Sequence, residues 1–325
     1  MIIVIVLCCC VPALSQQLEF HHFSTRHGLS QSNVWDILQD RFGFIWIGTE
    51  DGLNMYDGYT FTVYRNNPLD SSSLSNSNVH CIQQDSYGNL WVGTRYGLNF
   101  YNHATRTFER FLFDESNPQS ISNNDVKALW LDSNNKLWIG TANGLNVLDL
   151  DKKILKRFYR EVDNPKSLPH NNVTSIVEDS HHQIWVGTLG GLSKVSDGGF
   201  ENFRHDPDNA SSISSNAVTS IFDAKSGGLW IGTFDGGLNN FDPATKVCKR
   251  YVSDEGVTTS IGGNYIYTIS QDAAGAIWIA ADGALNKLSL SSGTFTRYVQ
   301  VQSKENSLSS NIVTKVFFDG NNRMW

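Results

Sequence analysis

Seven of the nine tryptophans in this 325-residue chain recur at a nearly fixed interval, and no other feature constrains the fold as tightly. Trp46, Trp91, Trp138, Trp185, Trp230, Trp278 and Trp325 stand 45, 47, 47, 45, 48 and 47 residues apart. A period of this length marks a supersecondary unit that cannot bury its own apolar face and must stack on copies of itself. Seventeen residues before each tryptophan stands an aliphatic residue: Leu29, Leu74, Ile121, Leu168, Ile213, Ile261 and Leu308. Twelve before stand Val34, Val79, Val126, Val173, Val218, Ile266 and Val313, and nine before stand Ile37, Ile82, Leu129, Ile176, Ile221, Ile269 and Val316. The frame never slips, and all length variation falls in the 28 to 31 residues between one tryptophan and the next aliphatic position.

Within each period the pattern reads as four short strands. The positions twelve and nine before the tryptophan are core positions of a first strand. Six before it stands Asp40, Asp85, Asp132, Asp179, Asp272 or Asp319, with a glycine typically following, which is hairpin chemistry: aspartate caps its own backbone and glycine accepts positive φ. Repeat five shifts the aspartate to Asp223 and uses Gly227 and Gly228. The tryptophan strand ends in Gly-Thr, as at Gly48-Thr49 and Gly93-Thr94, except for Ala280-Ala281 in the sixth copy, and a small residue there predicts close strand packing. Gly-Leu-Asn, as at Gly52-Leu53-Asn54, opens a third strand, and an aromatic segment such as 108–111 or 295–298 forms a fourth. Four strands in about 45 residues make one propeller blade. The expected fold is an all-β propeller of four-stranded blades, seven in number, with six complete repeats over 28–325 and a last blade truncated at the C-terminus. Helices are excluded, because turn residues punctuate the chain every 8 to 12 residues and no helical apolar period survives. A β-solenoid is the runner-up, but its repeats are usually shorter.

Composition narrows the class. With 25 Lys+Arg against 32 Asp+Glu the chain is acidic and has no basic cluster, which argues against nucleic acid as a partner. Residues 2–11 form a long apolar run, too short to span a bilayer and suited to the core of an export signal, with Ala13 and Ser15 in a cleavage pattern; the leader is assigned to 1–15. Export leaves Cys81 and Cys248, too few for a disulfide framework, and both read as buried small hydrophobes.

The Leu-Trp-Ile-Gly-Thr-x-x-Gly-Leu-Asn signature, clearest over 44–54, 89–99 and 136–146, resembles the two-component regulator propeller repeat. The resemblance covers 28–325 and implies a ligand-sensing region in the periplasm, belonging to a hybrid histidine kinase of Bacteroidetes type anchored in the inner membrane. It further implies a homodimeric receptor and an oligosaccharide or other small ligand. The chain reads as an N-terminal fragment of such a kinase. It shows no phosphoacceptor helix and no nucleotide-binding glycine box.

The segment 16–27 precedes Gly28-Leu29 as a fourth strand precedes each new blade, so it is expected to complete the last blade and remove exposed edges. In a propeller the loops joining second to third strands share one face with the blade connections, and that face carries the sequence variation. Its loops hold Glu50-Asp51, Arg95-Tyr96, Ala142-Asn143, Leu189-Gly190, Phe234-Asp235 and Asp282. Eleven before each tryptophan the inner strands also vary, through Trp35, His80, Lys127, Thr174, Thr219, Tyr267 and Thr314, at positions suited to the channel mouth. Trp35, Tyr96, Phe234 and Tyr267 are the candidates for stacking on sugar rings, with Asp51, His80, Arg95 and Asp235 as hydrogen-bonding partners.

No catalytic constellation, metal site or cofactor is expected. The pairs His21-His22 and His181-His182 place adjacent side chains on opposite faces of a strand, which suits no single metal. The turn aspartates lack a calcium-loop pattern, and no nucleophile elbow occurs. The functional expectation is an extracytoplasmic sensor for a glycan or oligosaccharide. The alternatives are a secreted carbohydrate-binding scaffold and a propeller polysaccharide lyase or glycosidase, for which only Glu50, Asp51, Asp235 and Asp282 are placed to serve.

Overall fold

The computed structural model describes residues 18–224 and 228–325; the expected leader over 1–15 and the turn residue Gly227 lie outside them. The described residues form six four-stranded antiparallel sheets, each a meander of consecutive strands. In the first blade β1 (Val34–Gln39) pairs with β2 (Ile45–Thr49), β2 with β3 (Gly52–Tyr56) and β3 with β4 (Phe61–Tyr64). The equivalent strands of the next five blades lie within 79–111, 126–158, 173–203, 218–251 and 266–298. Six blades are formed, not the expected seven. The segment that would open a seventh, after Ser307, has one antiparallel bridge, Phe318 to Met324, in place of a ladder.

The repeated tryptophans face the next blade, so the core lies between blades. Trp46 packs with Leu74, Val79, Ile82 and Leu90 of the second blade, and Trp91 with Ile121, Val126 and Leu129 of the third. Burying an indole of this kind is worth about 3–5 kcal/mol against truncation to alanine. The turn aspartates do more than cap the hairpin. Asp40 Oδ1 accepts from the backbone N–H groups of Phe42 and Phe44, while its Oδ2 accepts from the indole of Trp46 at 2.7 Å. The same indole bond recurs for Trp91, Trp138, Trp185, Trp278 and Trp325, at 2.7–3.1 Å. One carboxylate thus sets both the turn and the rotamer of the side chain that glues the blades.

The small residue after the tryptophan strand is explained by the neighbouring blade. A Cβ on Gly48, Gly93, Gly140, Gly187 or Gly232 would lie 2.6–2.8 Å from a methyl of Val79, Val126, Val173, Val218 or Ile266, the first strand residue of the following blade. The asparagine of Gly-Leu-Asn is fully buried and works across the same repeat. Asn99 Nδ2 donates to Val92 O and its Oδ1 accepts from Ser75 N; Asn54, Asn146, Asn239 and Asn286 repeat both bonds. In the fourth blade Pro169 stands where the others have an N–H to donate, and there the asparagine is replaced by Ser193, so no buried acceptor is stranded. In the sixth blade Gly262 and Ala281 together replace the Ser–Thr hydroxyl pair seen at Ser75–Thr94 and Ser122–Thr141.

Residues 313–325 lie between the sixth blade and the first. Val313 N donates to Ala281 O and Val316 N to Thr268 Oγ1 on one side. On the other, Thr314 Oγ1 donates to Val34 O, Gly320 N to Gln39 Oε1, and Lys315 Nζ lies 2.7 Å from Asp36. Trp325 packs against the cluster of Leu29, Ile45 and Ile47, as each repeated tryptophan packs on its neighbour. The inner strands therefore close a ring.

Candidate site at the channel mouth

The open end of the ring is built from the first strands. Their second residues face the axis because the residues on either side, such as Val79 and Cys81, are held in the packing between blades. Trp35, His80, Lys127, Thr174, Thr219 and Tyr267, joined by Tyr265, line a cavity of about 280 Å³. One wall is aromatic: Tyr265 and Tyr267 stack at 4.1 Å with an interplanar angle of 20°, and Phe234 leans on Tyr265 at 4.6 Å. Burial first, then the nearby Asp282 charge, pushes the Tyr267 hydroxyl above its ordinary pKa, and burial followed by Tyr267 and Asp282 does the same for Tyr265. Both remain hydroxyl donors at neutral pH.

The other wall is polar and centred on Asp125. His80 Nδ1 lies 3.3 Å from Asp125 Oδ1 and 3.1 Å from the carbonyl of Val126, which makes it the protonated nitrogen, and Lys127 Nζ lies 3.2 Å from Asp125 Oδ2. Burial works to raise the Asp125 pKa, but the bond from His80 and the Lys127 charge outweigh it and hold the carboxyl below its usual range. Thr174 Oγ1 donates to Val218 O at 2.7 Å and Thr219 Oγ1 to Ile266 O, each tying one blade to the next. Their hydroxyl hydrogens are thereby committed, and lone pairs remain to accept.

The loops between second and third strands surround this mouth. Backbone N–H groups of Arg95, Ala142, Leu189, Phe234 and Asp282 donate to the carbonyls of Asn78, Asp125, Asn172, Ala217 and Tyr265, the residues just before each inner strand. Of the predicted residues, Trp35, His80 and Tyr267 line the cavity and Phe234 supports it through Tyr265. Asp51 turns outward to Arg65, 3.1 Å away. Arg95, Tyr96 and Asp235 are exposed on the same loops and do not line the cavity. Asp125 and Tyr265 were missed by sequence reasoning. Their position, thirteen before the tryptophan, also varies from blade to blade, and that signal was available.

The carboxylates considered for catalysis do not converge. Glu50 accepts from Gln31 and Asn33, Asp51 pairs with Arg65, and neither Asp235 nor Asp282 lines the cavity. The histidine pairs also go elsewhere. His22 bonds the carbonyl of Glu305, and His182 sits in a hairpin turn at φ 59° with its Nδ1 3.0 Å from Glu178. A larger groove of about 590 Å³ runs along the outer flank between the second and third blades, past Trp91, Phe100, Phe111 and Leu148. It holds none of the predicted residues and is a gap in blade packing, whereas the mouth draws one variable side chain from each blade.

Among the described residues no helix is long and apolar enough to cross a membrane. Four segments, 28–51, 73–96, 167–190 and 212–235, match the two component regulator propeller family. A stretch of 64 residues is 52% identical to Histidine kinase P4 of Formosa agariphila, covering 20% of this chain and 5% of that protein. The fold is similar to that of the extracellular domain of the hybrid two component system BT3049 from B. thetaiotaomicron, with a TM-score of 0.81, 27% identity, and 95% of this chain and 40% of that one covered. The extracellular domain of BT4673 from the same organism gives 0.78 and 26%, over 95% of this chain and 38% of that one. The chain thus spans less than half the length of these structures, and the matched stretch a twentieth of the kinase. Four of its repeats match the two component regulator propeller family, and its fold is like that of the extracellular domains of hybrid two-component systems.

Proposed function

We propose that this propeller is the extracytoplasmic sensing region of a two-component receptor, acting in the periplasm as part of a homodimer anchored in the inner membrane, and that its ligand is a glycan fragment bound at the channel mouth. The observation that carries the reading is the contrast within one repeat. Positions that build blades are nearly constant, while the side chains presented to the mouth vary around the ring, with threonine in two blades, and combine stacked aromatics with hydroxyl, imidazole and ammonium groups. Aromatic faces flanked by directional polar groups suit polyhydroxylated rings. Binding of an oligosaccharide panel, followed by calorimetry, tests it. Trp35→Ala and His80→Ala should each weaken binding at least tenfold with an unchanged melting temperature. Full retention of affinity in both variants would remove the mouth from consideration.

We further propose that the N-terminal segment supplies the outer strand of the partial unit 308–325 that closes the ring. Support comes from register. Phe108, Phe200, Cys248 and Phe295 each donate their backbone N–H to the loop that precedes their own blade, at Ser72, Lys166, Ser211 and Thr259. Phe20 N donates to Asn306 O in the same way, which supports reading 18–23 as the counterpart of a fourth strand. His22 then occupies the place of Arg110, Arg157, Arg250 and Arg297, and like them it reaches the loop carbonyls, here Glu305 O. Leu18 and Phe20 pack on the Trp278 cluster, and Phe23 stacks on Trp325 at 6.0 Å. Deleting 18–23 should lower the melting temperature and abolish amide protection in 313–325 in hydrogen exchange. Unchanged protection there would refute the closure.

A further inference from the structure

We infer that the mouth accepts only the terminal ring of an uncharged carbohydrate chain, entering along the propeller axis, and excludes rings in mid-chain. This rests on the carbohydrate reading above and narrows it. Trp35, His80, Lys127, Thr174, Thr219 and Tyr267 come one from each of six consecutive blades. The seventh angular position is filled by 313–316, bonded to Ala281 and Thr268 on one side and to Val34 on the other. The cavity is therefore walled all round. A polymer bound through an internal ring needs two exits in the plane of the site, and a closed ring of strands provides neither. Whatever enters does so end first.

Size and charge limit the ligand further. At about 280 Å³ the cavity falls just below the range of about 300–1,000 Å³ that holds a drug-sized ligand, which leaves room for one or two sugar rings. Its single ammonium group, Lys127, is already paired with Asp125, which also holds His80. Lys127 and Asp125 balance each other's charge, so an anionic sugar would have to break the pair to be compensated. A neutral ring meets complementary groups instead: the stacked Tyr265–Tyr267 wall for its C–H face, Lys127 and the tyrosine hydroxyls as donors, and Thr174 and Thr219 as acceptors. Selecting chain ends gives a sensor that responds to depolymerised material in proportion to the cuts made.

The test titrates the full chain by calorimetry with neutral glucans, xylans and mannans, each intact and after partial acid hydrolysis, at equal mass. End recognition predicts that binding sites per gram rise at least tenfold on hydrolysis. Tyr267→Ala should remove the signal, and Tyr267→Phe, which keeps the stack, should stay within threefold of wild type. Equal binding per gram before and after hydrolysis, still abolished by Tyr267→Ala, would overturn end recognition while leaving carbohydrate binding at the mouth intact. Binding confined to a polygalacturonate hydrolysate would overturn the uncharged ligand. Silence across both panels would take down the carbohydrate reading as well.

Discussion

The ion pair between Asp36 and Lys315 gives the sharpest test of how the ring closes. Elsewhere this register carries small residues, Cys81, Ala128, Ser175, Ser220 and Thr268; only where 313–325 meets the first blade do two charges face each other, 2.7 Å apart. Both side chains are largely shielded, at 23% and 15% exposure. Asp36 also accepts from Ile37 N and, through Oδ2 at 2.7 Å, from Ile82 N, so it ties 313–325, the first blade and the second together. Removing one partner of a buried pair costs about 3–5 kcal/mol, because the survivor is left charged without compensation. Residual exposure lets Lys315 reach toward water, which puts Asp36→Ser at the lower end, about 3 kcal/mol. The two backbone donors still solvate Asp36 in Lys315→Thr, and that loss should be smaller, about 2 kcal/mol.

The double variant D36S/K315T restores side chains of the size used at this register in the fourth to sixth blades and strands no charge. It should cost about 2 kcal/mol, well below the sum of the singles, a coupling of about 3 kcal/mol. Urea unfolding of the four proteins provides the cycle, and hydrogen exchange at Ile82 and Val316 reports whether the loss is local to this junction. Additivity within about 0.5 kcal/mol would show that the pair contributes nothing as a pair and would refute the reasoning. Ser175→Ala, at the same register away from the junction, is the control. The Ser175 hydroxyl is buried with no hydrogen-bond partner, so its loss should be neutral or slightly stabilising.

Gly140→Val drives side-chain atoms into Val173, where even a Cβ would lie 2.6 Å from a methyl, and should cost about 1–3 kcal/mol or more in urea unfolding; a neutral result would mean the blades can separate freely. Ser193→Asn places an amide oxygen where Pro169 has no N–H to offer, costing about 1–3 kcal/mol, and adding Pro169→Ser should recover most of that by thermal denaturation. The Asp125 carboxyl is held below its usual range, so its contribution is present above the unfolded pKa of about 3.9 and is lost as pH falls through the lower folded value. Melting temperature should therefore drop between about pH 4 and pH 2 with a shallower slope in Asp125→Asn, and identical slopes would contradict the assignment.

Strand order, blade count up to the sixth, and the role of the small residue after each tryptophan were legible in the sequence, because a repeat displays its own scaffold: what packing requires recurs, and Gly48, Val79 and Trp46 recur together. The partner of each turn aspartate was not legible. A residue six positions from a tryptophan looks like turn chemistry alone until the hairpin folds the indole N–H back onto it, as for Asp40 and Trp46. The channel residues were found by the opposite criterion, variation at a fixed register, which put Trp35, His80 and Tyr267 on the mouth. The same criterion also picks out Arg95, Tyr96, Asp51 and Asp235, which stand outside the cavity, and loop residues vary as readily when they face bulk water as when they face a ligand.

The paired departures from the repeat indicate which variation is structural. Pro169 with Ser193, and Gly262 with Ala281, change together because each pair shares a hydrogen bond that must be made or deleted as a unit. No such bond links Thr174 to a compensating change in the scaffold, since its hydroxyl ends on a backbone carbonyl that any residue would supply, whereas the His80 ring also meets the Asp125 side chain within the mouth itself. Packing between blades therefore leaves the identity of Thr174 free and ties His80 only to its neighbours in the mouth. A tryptophan, a histidine and a tyrosine at one register of an otherwise uniform scaffold are the variation that the proposed ligand at the mouth would account for, and the binding tests of Trp35→Ala and His80→Ala decide it.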